Sequence, residues 1–485
     1  MTDRLDDRIR SLMVQVVEAS PAAQELEEIM ELRLSTEPVP PTGSLVHPAE
    51  LRPRRGWPVA VAAAAAVLVL VGGVGLLFNL TGSDSPVAAT LTEPVSSAVW
   101  SRVPHDEAVF GGEGSQTILS VTHGGSGLVA VGSDGGGGPW ANNSDADAAV
   151  WTSPDGITWS RVPNEEAVFG GAGPQVMSSV VAGGPGLVAV GWDGRGILDD
   201  TPTVDAAIWT SVDGYTWSRV PHEDAVFAGA WIEGVTVGGP GLVAVGGTGG
   251  YNTDGDAVVW ISVDGITWSR VPHDESVFGG ANSYFMSDVT VGGPGLVAVG
   301  SGGGTGPWDH GDNHAAVWTS VDGIIWSRVP DDEALLSTGG NPAPMLSVTA
   351  GGPGLVAVGS DWWTQGLART PVWTSPDGIT WTRVPDDETV RGVMFDVIVA
   401  GPGLVAVGTG GESNDWNPVV WSSVDGITWT PVPDDDATLP SGDVSSVIIY
   451  GPYLIAVGAA DENASVPPTD TGVSNAAVWV TTLED

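Results

Sequence analysis

From about residue 98 onward, short apolar runs alternate with clusters of Gly, Asp and Pro, and the same order recurs seven times. Each copy carries the string Gly-Leu-Val-Ala-Val-Gly or a close relative. These strings begin at Gly127, Gly186, Gly241, Gly295, Gly354, Gly403 and Tyr453, a period of roughly 50–59 residues. One unit serves as the pattern. Val176–Val181 is a β-type run, followed by the turn Gly183-Gly184-Pro185-Gly186. Leu187–Gly191 is almost wholly apolar, as expected for a strand buried on both faces. A variable loop runs from Trp192 to Val204. Ala206–Thr210 is a third strand, and Ser211-Val212-Asp213-Gly214 a tight turn with the residues a hairpin prefers. Thr216–Val220 is a fourth strand, stopped by Pro221. Four short antiparallel strands per unit at this period predict an all-β, seven-bladed β-propeller over 98–485, not seven separate domains.

The ends of the repeat bear on closure. Residues 98–104 (Ala-Val-Trp-Ser-Arg-Val-Pro) match a fourth strand with no blade before it. Ala476–Val480 matches a third strand and then stops. The seventh blade is therefore expected to be completed by the N-terminal strand pairing with the C-terminal blade, which leaves no open edge. Fourteen of the 22 Trp fall on repeat positions in the two outer strands, where packing between blades accounts for them.

The pattern before the repeats is different. Residues 57–80 contain no charged side chain and at ~1.5 Å per residue can cross a ~30 Å hydrocarbon core. Arg52, Arg54 and Arg55 precede this run and no basic residue follows until Arg102, so the positive-inside rule places the N-terminus in the cytoplasm and the repeats outside. The run is longer than the apolar region of a cleaved signal peptide and starts deeper in the chain. Residues 1–56 read as a cytoplasmic helical or disordered segment. Ile9, Leu12, Met13, Val16 and Val17 form a helical stripe, and 1–34 could dock a cytoplasmic partner. Residues 81–97 read as a linker.

Composition narrows the function classes. All 16 basic residues are Arg, and the formal net charge is −43, which argues against nucleic acid as a partner. The charge suits a solvated surface or a cationic partner. There is no Cys, so disulfides and Cys-ligated metals are excluded.

Six turns share one form: Ser-x-Asp-Gly-x-Thr-Trp at Ser153–Trp159, Ser211–Trp217, Ser262–Trp268, Ser320–Trp326 (with Ile325 for Thr), Ser375–Trp381 and Ser423–Trp429. This resembles the Asp-box, or BNR repeat, of the sialidase-like superfamily in a compact variant with one residue fewer between Asp and Gly. The resemblance implies a propeller in which Asp155, Asp213, Asp264, Asp322, Asp377 and Asp425 hold turns together: the carboxylate accepts turn N–H groups, Gly takes the positive dihedral, and Trp packs beneath.

In a four-stranded blade, the loops after strands two and four open on one face and the Asp-box turns lie on the other. Variable loops on a rigid scaffold carry function, and those after strand two hold Trp140, Trp192, Asp193, Arg195, Tyr251, Trp308, Trp362, Trp363 and Trp416. Trp beside Asp and Asn is the composition of a surface for a glycan or protein, though each Trp could instead cover the end of its own blade. The loops after strand four carry an acidic pair in each unit, from Asp106-Glu107 to Asp435-Asp436, a rim that would attract Ca²⁺ or a basic partner or simply be solvated. His105, His222 and His273 share one repeat position and read as exposed turn residues. Asp309, His310, Asp312 and His314 are the one local cluster that could hold a metal, and no cofactor is otherwise implied.

The sialidase resemblance would imply an arginine triad with a Tyr nucleophile. Arg102, Arg161, Arg219, Arg270, Arg328 and Arg383 sit at one repeat position in the fourth strand, leaving Arg195, Arg369 and Arg391. No nucleophile triad, P-loop or dinucleotide motif is present. The expectation is a membrane-anchored, extracytoplasmic binding or scaffold propeller for a protein or glycan. A sialidase-like glycoside hydrolase is the alternative.

Overall fold

The computed structural model of the chain describes residues 99–135, 146–171, 173–195, 203–249, 255–280, 283–303, 314–330, 343–361, 369–387, 389–410, 417–432, 442–461 and 474–483. The N-terminal stripe, the 57–80 run and the linker lie outside these residues. Among the described residues no helix is long and apolar enough to cross a membrane. Two compact units divide at Ser83/Asp84, and the described residues all belong to the second.

Seven four-stranded antiparallel sheets make up this unit, a seven-bladed β-propeller. Blades one to six each use four consecutive strands. Blade two, for example, is Gln175–Gly183, Gly186–Arg195, Thr203–Ser211 and Trp217–Arg219. Blade seven joins Gly442–Tyr450, Tyr453–Asp461 and Ser474–Thr482 to Ser101–Arg102, with Ser101 opposite Val480 and Arg102 opposite Trp479. The first strand of every blade packs beside the first strands of its neighbours and so lines the axis.

The core lies between blades. Val129, Val131 and Val150 of blade one pack with Met177, Leu187, Trp209 and Trp217 of blade two. The same arrangement sets Ile455, Val457 and Val478 of blade seven against Ile118, Leu128 and Trp151 of blade one. Each sheet thus buries both faces, which is why the second strand reads as a continuous apolar run. The third-strand Trp, such as Trp151, Trp209 and Trp260, are fully buried.

One glycine per unit is fixed by backbone approach. Each first strand carries a β-bulge near its middle, between Met177 and Ser179 in blade two, with Gly191 opposite Met177. A Cβ on Gly191 would stand 1.9 Å from the Val176 carbonyl oxygen. The equivalent last glycines of the repeated string, Gly132, Gly246, Gly300, Gly359, Gly408 and Gly458, meet the same obstruction at 1.9–2.1 Å.

The Asp-turns are closed by their own side chains. In blade two, Asp213 Oδ1 accepts the Tyr215 and Thr216 N–H groups at 2.9 and 2.7 Å, and Thr216 Oγ1 donates to Oδ2 at 3.2 Å. Ser211 Oγ accepts the Gly214 N–H at 2.8 Å, Gly214 takes φ +82°, and the Trp217 indole N–H donates to the Gly214 carbonyl. These bonds hold the Asp213 carboxyl below its ordinary range, the Thr216 N–H contributing most. Replacing Asp213 by Ala is expected to destabilise the fold by about 1 kcal/mol, as for a lost cap, whereas Asn, which keeps the Oδ1 acceptor, should cost much less. Urea unfolding of the two variants checks this, and equal losses would show that charge rather than acceptor geometry matters.

Four of the acidic pairs after strand four are solvent-exposed, as expected, and begin one-turn helices at Glu107–Phe110, Glu166–Phe169, Asp224–Phe227 and Glu275–Phe278. The first acid is the N-cap, and Asp106 and Asp274 accept the N–H two residues on. The terminal Phe is buried. The penultimate residue offers its carbonyl to the next blade's third-strand Trp: the Trp209 indole N–H donates to Val168 O at 2.7 Å, and Trp151, Trp260 and Trp318 do likewise to Val109, Val226 and Val277.

Candidate functional site

Most of the predicted loop residues lie outside the described residues: Trp140, Tyr251, Trp308, Trp362, Trp363 and Trp416, and the metal candidates Asp309, His310 and Asp312. Trp192, Asp193 and Arg195 belong not to a loop but to the second strand of blade two, which runs on to Arg195, paired with Thr203. Asp193 is committed there. Arg219 reaches it at 2.5 Å and the Gln175 amide donates to it at 3.0 Å. Blade one repeats this with Asp134, Arg161 and Gln116. His314 likewise opens a third strand, His314–Ser320, with its ring edge-on to Tyr284.

The histidines at the shared repeat position are not free turn residues. Blades one, two, three and five pair the residue four before the third-strand Trp with the residue three after the fourth-strand Arg. Asp205 faces His222 at 3.8 Å, and Asp256 faces His273 at 3.7 Å. The Asn164 amide donates to Asp147 at 2.6 Å, and Arg369 meets Asp386 at 2.7 Å. Donor and acceptor trade places between blades while the pairing persists, which marks a clasp between the start of strand three and the exit of strand four. Asp256, His273 and Glu275 place their ligand atoms within 4.8 Å of one another, a set chemically able to hold a divalent cation. Its role in the clasp accounts for it without one.

The opposite face is the turn face, and there the exposed apolar side chains collect. Each Asp-turn presents the residue before Asp and the residue after Gly. Val212, Val263, Val321 and Val424 are exposed, Val263 and Val321 at 78%. So are Ile157, Tyr215, Ile266, Ile324, Ile379 and Ile427. Val237, Val291 and Val399, at the ends of first strands, add an inner row around the axis. The rows are contiguous because each Gly-Gly turn nests against the next blade's Asp-turn. A Cβ on Gly125, for instance, would sit 2.4 Å from the Asp213 carbonyl oxygen. Between these aliphatic groups stand the six Asp-turn carboxylates, all held below their ordinary pKa. The described arginines lie in outer strands or at the loop-face ends of strands, with partners such as Gly111 O, Asp193 and Gly279 O. His123 lies at the turn-face end of its strand against Tyr450, and burial lowers its pKa from the ordinary histidine value.

A third polar region belts the axis at the bulges. Asp288 accepts the Val348 N–H of the next blade at 2.9 Å, and Asp396 accepts the Val447 N–H and the Ser446 hydroxyl at 3.0 and 2.9 Å. Ser120 accepts the Val180 N–H at 3.3 Å in the same way. These bonds stitch inner strands of neighbouring blades. Ser347 Oγ lies 3.2 Å from Asp288 Oδ2 and 3.3 Å from Asp396 Oδ1. One hydroxyl proton cannot serve two carboxylates, so the second contact is filled when one carboxyl is protonated. Burial raises the Asp288 pKa to about 6, with the Asp396 charge adding to it, and burial raises Asp396 also. Glu233, half-buried at the blade-three bulge and bonded to Ser178, is raised by burial to about 7. Sequence reading missed this belt because acids occupy it in only three of seven copies.

No protein-family profile matches the chain, and no curated protein matches it. Among solved structures, the chain is similar to Sqt1 of Chaetomium thermophilum, at 12% identity over 76% of this chain and 83% of that one, with a TM-score of 0.40. It is similar to Zg3597, a family 117 glycoside hydrolase of the marine bacterium Zobellia galactanivorans, at 11% identity over 53% and 82%, TM-score 0.32. It is also similar to the GH32 β-fructofuranosidase BmSUC1 of Bombyx mori, at 11% identity over 88% and 96%, TM-score 0.32. None of these likenesses transfers a residue or an activity to this chain.

Proposed function

We propose that the chain is a non-catalytic binding scaffold, an Asp-box propeller that docks a protein partner through its turn face. In this reading residues 57–80 anchor it in a membrane with the propeller outside and 1–56 in the cytoplasm. Pairing of Ser101–Arg102 with the last blade would serve as the latch that keeps the ring closed under load. The observation that carries the proposal is the gathering of the exposed large apolar side chains on one face, where scattering would need no explanation. Aliphatic Val and Ile suit a polypeptide. A glycan would be stacked on aromatic rings, and of the loop-face Trp named for that role only Trp192, in the second strand of blade two, is among the described residues.

The test is cross-linked capture by the full-length protein in its native membrane, with and without the triple change Val212→Ser, Val263→Ser, Val321→Ser. A stoichiometric partner retained by wild type and lost by the variant is expected. Equal capture by both would move the docking surface off the turn face.

The axial carboxyls favour a second reading, a glycoside hydrolase, because half-buried acids with raised pKa values are the form in which proton donors occur. Measured turnover on a panel of aryl glycosides, abolished by Glu233→Gln or Asp288→Asn, would put this reading in place of the scaffold.

A further inference from the structure

The turn face has a chemistry specific enough to name what it would hold, given the docking role just proposed. Its charged groups, among the described residues, are carboxylates of one kind. Four of the six stand between two exposed large apolar side chains of their own turn, as Asp213 stands between Val212 and Tyr215, and Asp264 between Val263 and Ile266, while Pro154 and Pro376 precede Asp155 and Asp377. The carboxylates are fixed in direction, since Oδ1 is spent on two turn N–H groups while Oδ2 takes at most the Thr hydroxyl. In the Ile325 turn even that hydroxyl is absent. The outward lone pairs of each carboxylate therefore remain available, at a charge that persists well into acid.

Three occupants compete for such a surface. A phospholipid headgroup layer would bring its phosphates against a ring of carboxylates, and the described residues of the face include none of the basic residues that hold proteins to anionic lipid. A second copy docked face to face would oppose two rings of like charge. A polypeptide carrying both basic and aliphatic side chains meets every feature at once, because aliphatic groups settle on the Val and Ile rows and guanidinium or ammonium groups answer the carboxylates between them.

We infer that the turn face is a docking surface for a basic, aliphatic-rich polypeptide segment, read through repeated Val-Asp-Gly-Ile turns. A single exposed ion pair is worth little. The repetition around the ring supplies avidity, so a segment crossing several turns gains affinity that no single turn provides. Among the described residues, the arginine-bearing side of the blades shows no comparable apolar rows.

The test uses full-length protein in detergent and three fluorescent 16-residue probes: alternating Arg and Val, alternating Glu and Val, and alternating Arg and Ser. The Arg-Val probe is expected to bind at least tenfold tighter than either comparator and to weaken as salt is raised. Two triple variants should each weaken it about tenfold or more: Val212→Ser/Val263→Ser/Val321→Ser, and Asp213→Asn/Asp264→Asn/Asp377→Asn, the second also flattening the salt dependence. Asn keeps the turn acceptor, and unchanged far-UV spectra and melting would confirm that both variants fold. A control of equal charge change on the loop face, Glu113→Gln/Glu165→Gln/Glu223→Gln, should bind as wild type. It guards against general attraction to a chain of net charge −43.

Each contrary result overturns a different part. If the Val variant binds as wild type, the turn face is not the surface and the docking reading falls with it. If the Glu-Val probe binds as well as Arg-Val, the partner's basic character is wrong while the docking face stands. If the loop-face control weakens binding as much as the Asp variant does, the attraction is general and the inference fails. Preferential binding to phosphatidylcholine vesicles, or a dimer abolished by the Val changes, would replace the polypeptide by a lipid surface or a second copy.

Discussion

Gly191→Ala is expected to be among the most damaging single changes in the propeller, costing about 3–5 kcal/mol, the range of strong core disruptions. The added Cβ would lie 1.9 Å from the Val176 oxygen, 2.9 Å from its carbonyl carbon and 3.0 Å from the Ser178 nitrogen. All three are backbone atoms, so no rotamer relieves the clash. The first strand must withdraw, and with it goes the bulge that holds Ser178 and Ser179 at the axis. Gly229→Ala is the control. Its φ of +67° strains any side chain, but nothing lies within 4 Å of the new Cβ, so about 1 kcal/mol is expected. Equilibrium urea unfolding followed by Trp fluorescence compares them. Similar losses in the two variants would mean that the bulge yields easily and that close approach is not what this glycine serves.

How far the sequence discloses the molecule depends on the length of each signal. The blade is legible because strand periodicity is restated in every unit and the Ser-x-Asp-Gly turns punctuate it. Its edges are less so. Trp192, Asp193 and Arg195 have the polar, Gly-broken look of a loop, yet the strand continues through them because Asp193 finds Arg219 and Gln175. That pairing is long-range and leaves no local mark. The one-turn helices, such as Asp224–Phe227, are too short to show a helical period, and only the Asp or Glu N-cap before a buried Phe hints at them. The bulge is hidden for a related reason: it shifts the in–out alternation by one residue, so Glu233 and Asp288 read as surface positions although they sit on the inner strands. The turn-face rows were in plain view as apolar residues placed inside turns, six times over. A single turn gives them no meaning, and only the propeller geometry sets them side by side.

The stability of the propeller is expected to be greatest on the acid side of neutrality, near pH 4–5, and to fall in both directions. The raised groups act first. Glu233 moves from 4.5 to about 7 on folding, so its contribution is fully present below 4.5 and is lost as pH rises through about 7. Asp288 behaves alike between 3.8 and about 6, and Asp396 shifts in the same direction. Above these values the belt holds unshared charges, and the Ser347 proton can satisfy only one of its two neighbours. The Asp-turn carboxylates have the opposite sign. Their folded pKa values lie below 3.8, so their contribution is present above that value and is lost as pH falls through the folded ones. The net charge of −43 adds self-repulsion at neutral pH and strengthens the rise toward acid. Glu233→Gln isolates one member of the belt, because the amide retains a partner for Ser178 without the charge. At pH 8 it should be more stable than wild type by up to about 3 kcal/mol, since a tenfold change in proton affinity on folding corresponds to ~1.4 kcal/mol. The gain should vanish near pH 4.5, where wild-type Glu233 is itself becoming neutral in both states. Unfolding curves for wild type and variant between pH 4 and 8, at protein concentrations low enough to avoid precipitation near the isoelectric point, give the comparison. Parallel curves would mean that Glu233 is solvated along the axis and titrates as an ordinary surface acid, and the belt would then stitch blades through its hydrogen bonds alone.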